Sequence, residues 1–172
     1  WKVAPALAAG NSVVLKPASL TPLTALLLGQ LAQEAGLPDG VLQVLPGAGS
    51  EAGNALATHP LVRKIGFTGS TEVGSKIMKL AADDIKRVSL ELGGKSPNIV
   101  FADADWQRAA AESPMSVFAN TGQDCCARSR MFIEQPIFDD FVNQFVAATE
   151  SLKVGDPTLD ETQLGPMVCA SQ

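Results

Sequence analysis

The feature that most restricts this chain's fold is a regular alternation of short apolar runs with longer stretches of helical period. The runs "SVVLKP" (12–17), "VLQVLPG" (41–47), "RKIGFTGS" (63–70), "KRVSLELGG" (86–94), "SPNIVFAD" (96–103) and "SRMFIEQ" (129–135) are strand-length, apolar and closed by proline, glycine or polar residues. Between them lie helical segments. "TPLTALLLGQLAQEAGLPDG" has Thr21 placed as an N-cap, Pro22 at the first helical position and Gly36 as its stop. "SEAGNALATH" and "TEVGSKIMKLAAD" follow. "DADWQRAAAESPMSVFANTG" reads as helix despite Pro114, and "PIFDDFVNQFVAATESLKVG" has Pro136 at its start. Strands alternating with helices predict an α/β fold built on a doubly wound, mostly parallel sheet with helices on both faces. The alternation breaks at "ELGGKSP", where two strands follow in quick succession. That turn is the expected boundary between residues 1–93 and residues 94–172.

Composition narrows the function classes. A 172-residue chain that is 46% hydrophobic can bury a sizeable core. Its net charge of −5 leaves no basic stripe for a nucleic-acid backbone, and no apolar run reaches membrane-spanning length, so neither partner is expected. Three cysteines are too few, and odd in number, for a disulfide scaffold, which makes a reducing, cytoplasmic setting the default. The chain opens on Trp1-Lys2 in what reads as mid-element sequence, so a fragment of a longer protein is expected.

Four stretches can carry chemistry, each with a plain alternative. "FTGSTEVG" (67–74) is a strand, glycine turn and helix start. That places free N–H groups and a positive helix end together, as an anion site or simply a capped turn. Lys16 in "LKPAS" closes a strand where open α/β sheets place their ligands, or is a solvated lysine. Glu91 in "LELGGKSP" ends an apolar strand and faces either a cleft or the rim. "FANTGQDCCARSR" (118–130) holds adjacent Cys125 and Cys126, open to metal binding, a disulfide, core filling or nucleophilic catalysis. Adjacent cysteines with one distant histidine, His59, make a poor metal set, and no metal is expected. A vicinal disulfide is strained. A nucleophile here lacks a second histidine, so its base would be a carboxylate, with Glu91 the obvious one.

Together, "LELGGKSP", the "F-x-N-x-GQ-x-C" run, "FTGSTEVG" and "GNSVVLKPASLTPL" resemble the aldehyde dehydrogenase superfamily, in order and spacing, over the whole chain. The resemblance implies oxidation of an aldehyde to a carboxylic acid with NAD or NADP. Cys125 takes the position of the nucleophile and Glu91 that of the general base, leaving Cys126 to packing. The thiolate traps the aldehyde, hydride passes to the nicotinamide, and Glu91 activates the water that hydrolyses the thioester. Lys16 matches the lysine on the adenosine ribose. Gly69, Ser70, Val73 and Gly74 match the pyrophosphate and adenine surroundings, with Gly49 near the adenine and the Leu92 backbone near the nicotinamide. Ser19 stands where many NAD-preferring members carry Glu, which points to tolerance of the 2′-phosphate of NADP. The family's oxyanion asparagine would lie upstream of Trp1, so the chain by itself is expected to be inactive. Glu91 argues against the coenzyme A-acylating branch, and a homodimer or homotetramer is implied. The alternative is a non-catalytic protein of the same fold. The identity of the aldehyde is not readable from these segments.

Overall fold

The computed structural model describes residues 1–172. It has the α/β class expected from the alternation, with every ladder parallel. The strands are β1 (Val13–Leu15), β2 (Leu42–Val44), β3 (Lys64–Gly69), β4 (Arg87–Leu92), β5 (Pro97–Val100) and β6 (Arg130–Ile133). The helices are α1 (Val3–Ala8), α2 (Leu23–Glu34), α3 (Asn54–Thr58), α4 (Thr71–Ala82), α5 (Trp106–Phe118) and α6 (Phe138–Glu150). The strands pair two by two, β1 with β2, β3 with β4 and β5 with β6, each across a helical crossover. The chain divides into two compact units, Trp1–Leu92 and Gly93–Gln172.

In the first unit, helix ends are set by local chemistry. After α2, Gly36 adopts φ +85°. Its N–H donates to the Gln33 carbonyl while that of Leu37 donates to Ala32, the paired bonds of a left-handed glycine stop. At the other end of α2 the expected cap is absent. Pro22 precedes the first helical residue and no side chain caps the turn, so Thr21 is not an N-cap. Pro22 has a helical backbone (φ −85°, ψ −19°), and its carbonyl takes the first intrahelical bond from Leu26 without help from Thr21. Helix α4 is capped as its sequence suggests, by Ser70, with Glu72 in the first turn and Lys79 in the last to suit the helix dipole. It packs on β3·β4 through Gly74 and Ala81, both buried. The "SEAG" segment forms a π turn, Gly49–Gly53, before the short α3.

In the second unit, α5 and α6 pack on each other and cover one face of β5·β6. Val100, Ala110, Ile137 and Phe141 form the buried centre, with Trp106, Met131, Ile133 and Phe145 against it. Asp105 caps α5 by accepting from the Arg108 N–H at 3.3 Å. Pro114 sits inside α5, as expected, fully buried among its neighbours. The opposite strand face carries Ile99 and Phe132, both more than half exposed.

Candidate functional site

The carboxyl ends of β1 and β2 form the first cluster of predicted site residues. Beyond Leu15 and Val44 the chain opens a cavity of about 370 Å³ lined by Pro17, Ser19, Pro22, Pro46, Gly47 and Ala48. That volume suits a small-molecule subsite, and strand carboxyl ends are where open α/β sheets bind ligands. Lys16 is half-buried at its edge. Its ammonium donates to the carbonyls of Pro17 at 2.6 Å and Gly47 at 3.2 Å, so the side chain ties the two strand ends together rather than waving in solvent. Ser19 is exposed on the lining, and Gly49 begins the π turn just beyond Ala48.

The turn from β3 into α4 gathers the second cluster. Ser70 Oγ accepts from the Val73 N–H at 3.2 Å, so this hydroxyl caps the helix. A Cβ on Gly69 would overlap the Phe67 ring, and one on Gly74 would lie 2.8 Å from Leu92 Cδ2. Gly74 is thus the flat spot where α4 meets β4, and the Leu92 side chain fills it. Glu91 is exposed and pairs in register with Thr68 of β3. The Thr68 hydroxyl is hydrogen-bonded by the Lys2 ammonium, and the Lys2 stem passes 3.2 Å from a Cβ built on Gly66. Nothing in the local sequence pattern singled out Lys2, because its partner is 66 residues away.

The thiol loop belongs to the second unit. After α5, Asn120, Thr121 and Gly122 adopt φ of +53°, +60° and +73° in succession. Left-handed backbone is natural for Gly122, tolerable for Asn120 and strained for the β-branched Thr121. The run is held by its own side chains. Asn120 Nδ2 donates to the Gln123 carbonyl at 3.0 Å, and Gln123 Nε2 donates back to the Asn120 carbonyl at 2.9 Å. Gln123 Oε1 also accepts from the Val168 N–H at 2.9 Å, and the Thr121 hydroxyl donates to the Gly165 carbonyl at 3.1 Å. Two of these bonds close the loop on itself and two pin it to residues 165–168, which gives the "N-x-GQ" spacing a mechanical role. The sequence reading used Asn120 and Gln123 only as motif letters. Their signal was there, in an Asn and a Gly flanking a turn.

Cys125 follows this clasp and is exposed. Cys126, expected to be packing, is exposed in this chain, where a turn carries it. Asp124 Oδ1 accepts from the Cys126 N–H at 2.9 Å, folding the carboxylate back over the turn. The two sulfurs stand 3.8 Å apart. The Cys125 thiol is pushed above its ordinary value, chiefly by its hydrogen bond to Cys126 and the charge Cys126 would carry, with burial and Asp124 adding to it. The third cysteine, Cys169, is held below the ordinary thiol value by the Ser171 hydroxyl. The "GG" turn bears on the same loop: a Cβ on Gly94 would lie 3.2 Å from the Cys125 carbonyl oxygen, while one on Gly93 would meet nothing within 4 Å.

Parallel strand pairs with helical crossovers, a cavity at strand carboxyl ends and an exposed thiol on a clasped loop describe an α/β protein. The comparisons give the family. The Aldehyde dehydrogenase family matches residues 1–172, and the chain belongs to that family. It is 54% identical over 167 residues to human cytosolic 10-formyltetrahydrofolate dehydrogenase, covering 96% of this chain and 18% of that protein. It is 51% identical over 173 residues to human retinal dehydrogenase 2, covering 100% of this chain and 33% of that one. Aldehyde dehydrogenase C from Pseudomonas syringae, solved as a variant with NAD+ and octanal, superposes with a TM-score of 0.96 at 44% identity, over 99% of this chain and 35% of that one. The chain therefore spans about a fifth to a third of the length of these proteins. No helix is long and apolar enough to cross a membrane.

Proposed function

We propose that the full-length protein oxidises an aldehyde to a carboxylic acid with NAD or NADP, using Cys125 as nucleophile and Glu91 as general base. The observation that carries the reading is the exposed Cys125 thiol on a loop clasped by Asn120 and Gln123, at the position of the family's cysteine. A nucleophile must be reachable and held still, and this loop does both.

The cavity at the ends of β1 and β2 fits an adenosine moiety, with Lys16 and Ser19 toward the ribose and Gly49 beside the ring. Gly69, Ser70, Val73 and Gly74 lie at the positive end of α4, suited to a pyrophosphate, and the Leu92 backbone serves the nicotinamide end. When bound, the nicotinamide accepts the hydride that oxidation releases. The chain's own residues do the rest. The Cys125 sulfur adds to the aldehyde carbon, with its proton lost to solvent, and is left as a thioester after oxidation. Glu91 then takes a proton from water as that water attacks the thioester carbon, and Cys125 leaves as thiolate. The neighbouring donors for the developing oxyanion are the Cys125 N–H and, by family analogy, an asparagine outside this chain. A homodimer or homotetramer in the cytoplasm belongs to the same proposal.

The alternative is a non-catalytic family member that keeps the fold. Reduced-cofactor formation by the full-length protein with a panel of aldehydes separates the two. The catalytic reading expects Cys125→Ala to abolish turnover and Glu91→Gln to give a burst of one equivalent without steady release. Wild-type rates in both variants would make the family likeness structural only.

A further inference from the structure

We infer that Asp124, Cys125 and Cys126 form a binding site for a soft divalent cation such as zinc. Three consecutive residues seldom point donors at one spot, since neighbouring side chains diverge in strands and helices. Here the bond from the Cys126 N–H to Asp124 Oδ1 curls the carboxylate over the turn, and one donor atom from each residue lies within 4.8 Å of the others. All three side chains are exposed in this chain.

The sulfur spacing decides between the chemistries left open for this pair. A disulfide bond needs sulfurs about 2.05 Å apart and Cα atoms about 4.4–6.8 Å apart. The sulfurs here are 3.8 Å apart, and adjacent Cα atoms across a trans peptide are held at about 3.8 Å. Forming the S–S bond means distorting the turn. A metal ion needs no such change. With metal–sulfur bonds of about 2.3 Å to both atoms, a 3.8 Å separation corresponds to an S–metal–S angle of about 110°, the tetrahedral value. A carboxylate oxygen of Asp124 lies within 4.8 Å of both sulfurs and supplies a third ligand, and water completes the four. Binding converts two thiols to thiolates and releases two protons, with no change of oxidation state, so it strengthens as pH rises.

The site stands whether or not Cys125 is a nucleophile, and its test uses neither substrate nor cofactor. The chelator-treated full-length protein is titrated with cadmium chloride, following the ultraviolet charge-transfer absorption of cadmium–thiolate bonds. The expected result is saturation at one cadmium per chain. Cys126→Ser should halve that band and weaken binding at least tenfold, Asp124→Asn should weaken it severalfold, and Cys169→Ser should leave it unchanged. A second measurement on the unmutated protein covers any failure of a variant to fold: zinc should block iodoacetamide labelling of Cys125 and Cys126 together while Cys169 still reacts. The inference is overturned if no saturable band forms, if Cys126→Ser binds as tightly as wild type, or if zinc leaves both thiols reactive.

Discussion

The two glycines of "ELGGKSP" give the sharpest test of how the thiol loop is held. A methyl group added at Gly93 meets nothing within 4 Å, whereas one added at Gly94 arrives 3.2 Å from the Cys125 carbonyl oxygen. That is a few tenths of an ångström inside ordinary contact, and the obstacle is backbone, which cannot rotate away as a side chain would. Neither glycine has positive φ, so alanine is not strained at either place. The cost of Gly94→Ala therefore falls on the loop, which moves by a few tenths of an ångström and carries Cys125 with it. A misplacement of 1 Å at a reacting group costs roughly 100-fold in rate, and scaling in free energy gives about three- to tenfold for this smaller shift. Global stability should change by less than about 1 kcal/mol, because the clash is partly relieved by that movement. The assay is turnover of the full-length protein with its best aldehyde, beside thermal melting of Gly93→Ala and Gly94→Ala. Gly93→Ala is expected to match wild type and Gly94→Ala to lose activity at an unchanged melting temperature. Equal behaviour of the two variants would refute the close approach of Gly94 to the thiol loop.

Removing Cys126 takes away the two largest influences that raise the Cys125 thiol, so Cys126→Ala should increase Cys125 alkylation by iodoacetamide at pH 7 and move its pH–rate curve to lower pH. In the wild type, Cys169 should start to react at lower pH than Cys125, as peptide mass spectrometry would show. Ser19→Glu places a carboxylate on the cavity wall where a 2′-phosphate would approach, and should lower the NADP-to-NAD ratio of kcat/KM by about tenfold, or about 1.4 kcal/mol of repulsion; an unmoved ratio removes Ser19 from cofactor choice. Phe141 is 1% exposed and stacks on Phe145 with ring centroids 6.4 Å apart, so Phe141→Ala should destabilise the second unit by about 3–5 kcal/mol, read as a lower urea midpoint and faster amide exchange in α5 and α6.

Much of the fold was legible because its signals are local and periodic. The strands "KIGFTG" and "RVSLEL" lie within the runs read from sequence, Gly36 ends α2 through its left-handed φ, and Ser70 caps α4 with the hydroxyl its type suggested. Pro114 did not break α5, since full burial of its ring offsets the lost hydrogen bond. The short α1 went unread: six residues containing Pro5 carry too little period to register. Thr21 looked like a cap by residue type, yet capping depends on where the helix axis starts, which Pro22 decided. The thiol loop was legible as a motif and opaque as a shape. Three left-handed residues in a row, and the resulting exposure of Cys126 beside Asp124, follow from bonds to Gly165 and Val168 more than 40 residues away. No local pattern encodes such partners.

The pairing of strands two by two also governs when the chain can acquire structure. Each ladder joins strands whose first paired residues are only roughly 20–35 positions apart, Val13 with Leu42, Lys64 with Arg87 and Pro97 with Arg130. Closing a loop of that length carries a modest entropy penalty, which grows only with the logarithm of its size. During synthesis at roughly 5–20 residues per second, the second strand of each pair follows the first by a few seconds, ample time for a helical crossover to form. Structure can therefore accumulate ladder by ladder in the order of translation, each of these three pairs closing over the short stretch between its own strands.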